Sequence, residues 1–145
     1  MNKLTLSEEL IGQVKLPKGI YIRQFNETDF SAIQVLYEKE GWTTFLKRSE
    51  DALKAWENSN ITLVALDGDI IVGLIRALTD GEITTYIAEI IVDTSYRGMG
   101  IGKALLDICH NLYPHSRLDL LSTDGADEFY QRESFRTHMG FRKSY

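Results

Sequence analysis

Residues Arg97 to Lys103 read Arg-Gly-Met-Gly-Ile-Gly-Lys, three glycines at alternate positions framed by two cations. Glycine lets a backbone curl until successive N–H groups converge, and converging N–H groups beside cationic side chains hold anions. The apolar run Ile87 to Val92 leads into this turn, interrupted only by Ala88 and Glu89, and Ile101, Leu105, Ile108 and Leu112 follow at helical spacing. A strand delivers the turn, and the helix that leaves it near Ile101 aims the positive end of its dipole at the same point. The ligand such a site suits is a pyrophosphate.

Two glycine-rich motifs can be tested against this spacing. A P-loop requires glycine where Arg97 stands and Ser or Thr after Lys103, where Ala104 stands, so it fails twice. A dinucleotide fingerprint matches Gly98 and Gly100 and finds an acid, Asp119, about 20 residues on. Its third glycine falls on Lys103, however, and the 42 residues that follow are too few for a doubly wound domain.

The pattern that remains, Arg97-Gly-x-Gly-x-Gly102 with Val92 and Tyr96 before it and Lys103-Ala104-Leu105-Leu106 after it, closely resembles the coenzyme A loop of the GNAT superfamily, the acetyl-CoA-dependent N-acetyltransferases. Downstream, Glu128-Phe129-Tyr130-Gln131-Arg132 resembles the family's late helix with its tyrosine, and Met139-Gly140-Phe141 the Gly-Phe near its last strand. The resemblance covers residues 20 to 145 with decreasing specificity. It implies an α+β fold, an α/β/α sandwich whose mixed, mostly antiparallel sheet has splayed central parallel strands. The pantetheine arm of acetyl-CoA lies in that gap in the family. By resemblance, Ile91 and Val92 supply its backbone hydrogen bonds, while Arg97, Gly98, Met99, Gly100, Ile101, Gly102 and Lys103 hold the pyrophosphate. Thr94 replaces the motif's usual proline, which should alter only the local turn. Ser134-Phe135 stands where the family often has Gly-Phe shortly after the tyrosine, so the later Gly140-Phe141 raises a one-turn extension as an alternative alignment.

Acetyl transfer to an amine needs a neutral nucleophile and gains from a proton for the departing thiolate, so the site wants a base and an acid. Tyr130 is the candidate acid by resemblance, since a phenol titrating near 10 is protonated at neutral pH. Packing alone is the other role open to it. Glu89 is the candidate base, directly or through water, because it sits in Ile87-Ala88-Glu89-Ile90-Ile91-Val92 and should be partly desolvated. A solvent-facing carboxylate or a cross-strand pair with Arg76 is the other reading of Glu89. Tyr86, Glu82 and Asp93 are further candidates that the sequence does not rank. Trp42, Phe45, Trp56 and Tyr86 can line an acceptor pocket, where aromatic faces favour cations, although each also reads as core. The acceptor stays open among polyamines, aminoglycosides, amino-acid amines, peptide N-termini and protein lysines.

The elements that must position these residues are legible in turn. Ile20 to Phe25 reads as a first strand, Asn26 or Thr28 caps a helix burying Phe30, Ile33, Leu36 and Tyr37, and Gly41 stops it. Ser49-Glu50-Asp51 opens a second helix with Ala52, Leu53 and Trp56 on one side. Ile61 to Leu66 and Ile70 to Ile75 flank Asp67-Gly68-Asp69, a hairpin signal, and Asp80-Gly81 turns into a long strand from about Ile83 to Val92. The glycine-loop helix runs to Pro114, and Arg117 to Leu121 returns as a strand parallel to residues 83 to 92. Asp124-Gly125 leads to a short helix at Asp127 to Ser134, and His138 to Ser144 supplies a last strand. Residues 1 to 18 form an N-terminal extension in which Ser7-Glu8-Glu9-Leu10 opens a short helix.

The chain has 145 residues, which suits a single N-acetyltransferase domain, and 43% of them are hydrophobic, enough for a sizeable core. A net charge of −5 argues against nucleic acid and against an anionic membrane as partners, and suits an amine better. Cys109, the single cysteine, falls near the apolar stripe of the glycine-loop helix and reads as a buried hydrophobe. His110, His115 and His138 lack metal-ligand spacing, so no metal is expected. No signal peptide and no long apolar span is visible, so a cytoplasmic location is expected, and a homodimer is compatible with the sequence. Two other functions compete with N-acetyl transfer: a coenzyme-A-binding regulatory or interaction module without turnover, and a dinucleotide-binding fragment.

Overall fold

The computed structural model describes residues 8–123 and 125–145. Five strands form one sheet in the order β1 (Ile20–Gln24), β2 (Ile61–Asp67), β3 (Ile70–Thr79), β4 (Thr84–Val92) and β5 (Arg117–Leu120). The first four are antiparallel neighbours and β5 joins β4 in parallel, so the sheet is mixed. The hairpin falls at the Asp67-Gly68-Asp69 signal. The next turn is built by Asp80, whose Oδ1 accepts the backbone N–H groups of Glu82, Ile83 and Thr84 at 2.8, 2.8 and 3.1 Å. A short polar side chain thus substitutes for the ladder where the chain reverses.

Helices cover both faces. On one side α2 (Phe30–Glu40), α3 (Thr43–Lys47) and α4 (Ser49–Asn58) pack, and Phe30, Ile33, Leu36, Tyr37, Ala52 and Trp56 are buried against Val64, Leu66, Leu74 and Ile91. These are the positions the helical spacing predicts. The turn before α2 closes when the Asn26 N–H donates to the Asp29 carboxylate at 2.9 Å, and α2 ends at Gly41 in the left-handed region, as expected. The short α3 carries no buried residue, so the apolar periodicity that marks its neighbours is missing and it was not anticipated.

On the other face α5 (Ile101–Leu112) buries Ile101, Ala104, Leu105, Leu106, Ile108 and Cys109. The Cys109 thiol is enclosed, and burial pushes it up to about 12, which fits an inert hydrophobe. A short α1 (Glu8–Gly12) precedes β1, and α6 (Asp127–Arg132) follows β5. Ser7 and Asp124, named in the expected helix start and turn, lie outside the described residues.

Two features of the sheet shape the site. Pairing of β4 with β5 ends at Ile87↔Leu120, whereas β4 runs on to Val92 with β3 on its other side. The two parallel strands therefore part over residues 88–92. In addition, Arg76 faces Glu89 while the adjacent Ala77 faces Ile87, leaving Ala88 as an extra residue on β4. This bulge inverts the alternation: Ile87 belongs to the core beneath α5, but Glu89 and Ile91 turn toward α2 and α4.

The expected last strand at His138 to Ser144 is absent. Residues 136–145 form no helix or strand, and Met139 and Phe141 are 77% and 89% exposed. An alternating apolar pattern becomes a strand only where an edge receives it. The four-residue β5 is not paired with this segment, which touches the sheet end where Gly140 lies against Leu121.

Candidate active site

Gly98 and Gly100 carry φ of +81° and +94°, a region that side chains resist, and together they reverse the chain between β4 and α5. Gly100 is the N-cap of α5 and no side chain caps the helix, so the first N–H groups of α5 face outward at the positive end of its dipole. Gly102 has a packing task as well. It lies inside α5 with helical backbone, and a Cβ there would sit 3.1 Å from the Phe129 ring, so its smallness lets α6 approach α5. Ile101 turns its side chain into the core and offers only its backbone, while Met99 is half exposed.

The two cations of the loop are engaged elsewhere. Arg97 forms an ion pair with Glu40, and its Nε donates to the Val92 carbonyl at 3.0 Å. Lys103 pairs with Asp107 at 2.8 Å and reaches Glu133 at 3.6 Å. The backbone is thus the part of the loop already arranged for an anion, and the loop lies directly after the stretch of β4 that has lost its β5 neighbour.

Where β4 and β5 part there is a cleft of about 610 Å³. Its walls come from both layers: Trp42 and Phe45 from the α2–α3 region, Arg76, Tyr86 and Glu89 from the sheet, and Tyr130 from α6. Trp56, open between pocket and core in the sequence, is core: it is fully buried, with its ring 4.8 Å from Phe25 and its Nε1 donating to the Tyr37 hydroxyl at 2.7 Å.

Glu89 is only 3% exposed and both its oxygens are occupied: the Tyr37 hydroxyl donates to one and Arg76 Nε to the other. The cross-strand pair with Arg76 weighed from the sequence is the arrangement present. Arg76 Nη1 donates onward to Ser59 Oγ at 3.1 Å, and Ser59 to the Ala55 carbonyl at 2.6 Å, tying the pair to α4. Burial first, then the adjacent Glu89 charge, raise the Tyr37 phenol far above its ordinary range, so it stays a donor. Tyr37 and Ser59 were not anticipated as site residues, because Tyr37 reads as one more apolar position of α2 and Ser59 as a helix stop. Glu82 and Asp93 do not line the cleft; Asp93 pairs with Lys39 at 2.8 Å.

Tyr130 stands edge-on between Phe129 and Phe135, with ring centroids 5.2 and 5.5 Å away. Burial raises its phenol above the ordinary range, and among the described residues no hydrogen bond engages its hydroxyl. Two residues past the helix that carries it, Ser134 has φ +70°, the single left-handed residue other than glycine among those described. That conformation is the one glycine favours, which accords with Ser134-Phe135 standing in the Gly-Phe place after the tyrosine. Gly140, by contrast, is not left-handed.

A mixed sheet whose parallel pair parts, a glycine turn feeding an uncapped helix, and a cleft beside them together make up the site. Residues 29–143 match the family described as acetyltransferase (GNAT) domain, and the chain belongs to that family. It is 36% identical over 61 residues to a glucosamine 6-phosphate N-acetyltransferase of Trypanosoma brucei brucei, a match spanning 40% of this chain and 42% of that protein. Among solved structures, a GNAT-family acetyltransferase of Streptococcus pneumoniae superposes with a TM-score of 0.71 and 26% identity, covering 87% of this chain and 99% of its own. AAC(6')-Iy, solved with the bisubstrate analogue CoA-S-monomethyl-acetylneamine, shares the fold at TM-score 0.63 and 18% identity, covering 87% of this chain and 99% of its own. No helix among the described residues is long and apolar enough to cross a membrane.

Proposed function

We propose that the protein transfers an acetyl group from acetyl-CoA to a primary amine by direct attack within a ternary complex. The observation that carries this reading is the continuity of the glycine turn with the open side of β4 and with the cleft beyond it. The pyrophosphate would lie on the backbone of Gly98 to Lys103, at the N-terminus of α5. The pantetheine arm would follow Ile91 and Val92 where β5 has left β4; backbone groups alternate in direction along a strand, and because Asp93 donates to Val72 of β3, it is the Val92 backbone that faces the open edge and would pair with the arm. Val92's carbonyl is held by Arg97 Nε in this structure, so binding would exchange that contact for one to the cofactor, and Arg97 would reach a phosphate only by also leaving Glu40. The thioester then enters the cleft beside Tyr130.

Tyr130 is the proposed acid. Burial keeps its phenol protonated, and its hydroxyl is uncommitted among the described residues, so the proton is available when the carbon–sulfur bond breaks. For Glu89 the occupied oxygens favour a supporting role. It fixes the orientation of Arg76 at the cleft wall, and the amine proton leaves through water rather than directly to this carboxylate. A coenzyme-A-binding module without turnover is the competing reading. Incubating the protein with acetyl-CoA and a mixed panel of amines while following free thiol separates the two: amine-dependent thiol release is expected, and acetyl-CoA binding without thiol release from any amine would favour the module.

A further inference from the structure

The cleft carries a charge that neither the composition nor the resemblance anticipates. The chain as a whole is acidic, at −5, yet among the described residues the charged side chains lining the cleft are Arg76, Arg142 and Glu89. Glu89 is enclosed and already neutralised by Arg76, so it offers little attraction to a cationic ligand. Arg76 is spent on Glu89 and Ser59 only through Nε and Nη1; among the described residues Nη2 has no partner. Arg142 lies in the exposed C-terminal segment and has no ion pair among the described residues. That segment is brought to the cleft by Gly140 against Leu121 and by the Tyr145 ring, which lies 4.4 Å beneath the Arg48 guanidinium.

Resting on the acetyltransferase reading, we propose that the acceptor is an amine that also carries an anionic group, a carboxylate or a phosphate, bound between Arg76 and Arg142. A guanidinium presents paired donors that match either oxyanion, and one held rigid by Glu89 and Ser59 pays little ordering entropy to do so. The aromatic wall of Trp42, Phe45 and Tyr86 supplies apolar contact to the body of the acceptor. Polyamines and other polycations, which the overall charge alone would favour, meet a net positive charge from the described lining residues and are disfavoured.

Matched amines test this: 2-aminoethanol against its phosphate ester, an amino acid against its carboxamide, and spermidine. Two quantities are read for each, kcat/KM from thiol release with acetyl-CoA and affinity by calorimetry for the protein saturated with CoA. The anionic member of at least one pair should be favoured about tenfold or more, and Arg142→Gln should cut that ratio several-fold while Arg142→Lys keeps more of it. Which pair responds separates phosphate from carboxylate. Equal values within both pairs, no binding by any member, or a preference for spermidine overturns the inference. Thiol release from neutral amines at the same rate would leave acetyl transfer intact and remove only the anion. Absence of thiol release from every amine would count against transfer itself, and the calorimetric ratios would still decide the acceptor class.

Discussion

Tyr130 and Glu89 both face the cleft, and their surroundings assign them opposite parts. Tyr130 has a raised phenol and an uncommitted hydroxyl, so Tyr130→Phe should lower kcat by about 10²-fold or more while acetyl-CoA affinity stays near wild type. Because the protonated phenol is the active form, the wild-type rate should fall only as pH rises through a value displaced upward from 10, and the mutant should lose that limb. Full turnover in Tyr130→Phe would reduce the residue to packing. On the proposed mechanism, Glu89 should matter to stability where Tyr130 matters to rate. Glu89→Gln leaves the largely enclosed Arg76 charge without its counterion and should destabilise the fold by about 3 kcal/mol or more in urea denaturation. Tyr37→Phe removes one donor to Glu89 and one acceptor for Trp56, leaves the ion pair itself in place, and should cost about 2 kcal/mol. Equal losses from the two would mean that the ion pair contributes nothing beyond its hydrogen bonds. Ser134 holds a left-handed backbone that glycine adopts freely, so Ser134→Gly should raise stability by about 0.5–1 kcal/mol.

At the scale of elements, what was legible depended on whether a signal is local. The turn at Arg97 to Lys103, the stop at Gly41 and the hairpin at Asp67-Gly68-Asp69 each need only neighbouring residues, and each stands where its residue types put it. The direction of Glu89 was not legible, because it is set by the extra residue at Ala88, and a bulge is a property of the pairing between β3 and β4 rather than of β4. With strict alternation Glu89 would have shared a face with Ile87 beneath α5. The missing last strand has the same origin: His138 to Ser144 carries the pattern, but β5 does not pair with it. Gly100 and Gly102 look alike in the sequence because spacing cannot distinguish a backbone that needs positive φ from one that needs room for Phe129. The two requirements predict different mutants. Gly100→Val, at φ +94° and with only Pro17 within 4 Å of a Cβ, should strain the turn at the N-terminus of α5 and weaken acetyl-CoA binding by about tenfold or more in calorimetry. Unchanged affinity there would place the pyrophosphate elsewhere.

For the molecule as a whole, the cofactor is expected to act as a structural partner of the sheet. Between residues 88 and 92 the edge of β4 that faces β5 has no strand beside it among the described residues, and the N-terminus of α5 has no side-chain cap. A ligand that pairs with the strand and caps the helix binds the folded chain alone, so at about 100 times its dissociation constant it adds roughly 2.7 kcal/mol to the native state. For a domain of this size that corresponds to a rise in Tm of about 5–10 °C. NADH also carries a pyrophosphate but has no pantetheine arm to lie along β4, so it can satisfy the helix terminus and not the strand. A thermal scan with each ligand at matched concentration should show a clear shift with acetyl-CoA and a much smaller one with NADH. Equal shifts would mean that the splayed strands contribute nothing to recognition and that the glycine turn binds pyrophosphates without regard to what they carry.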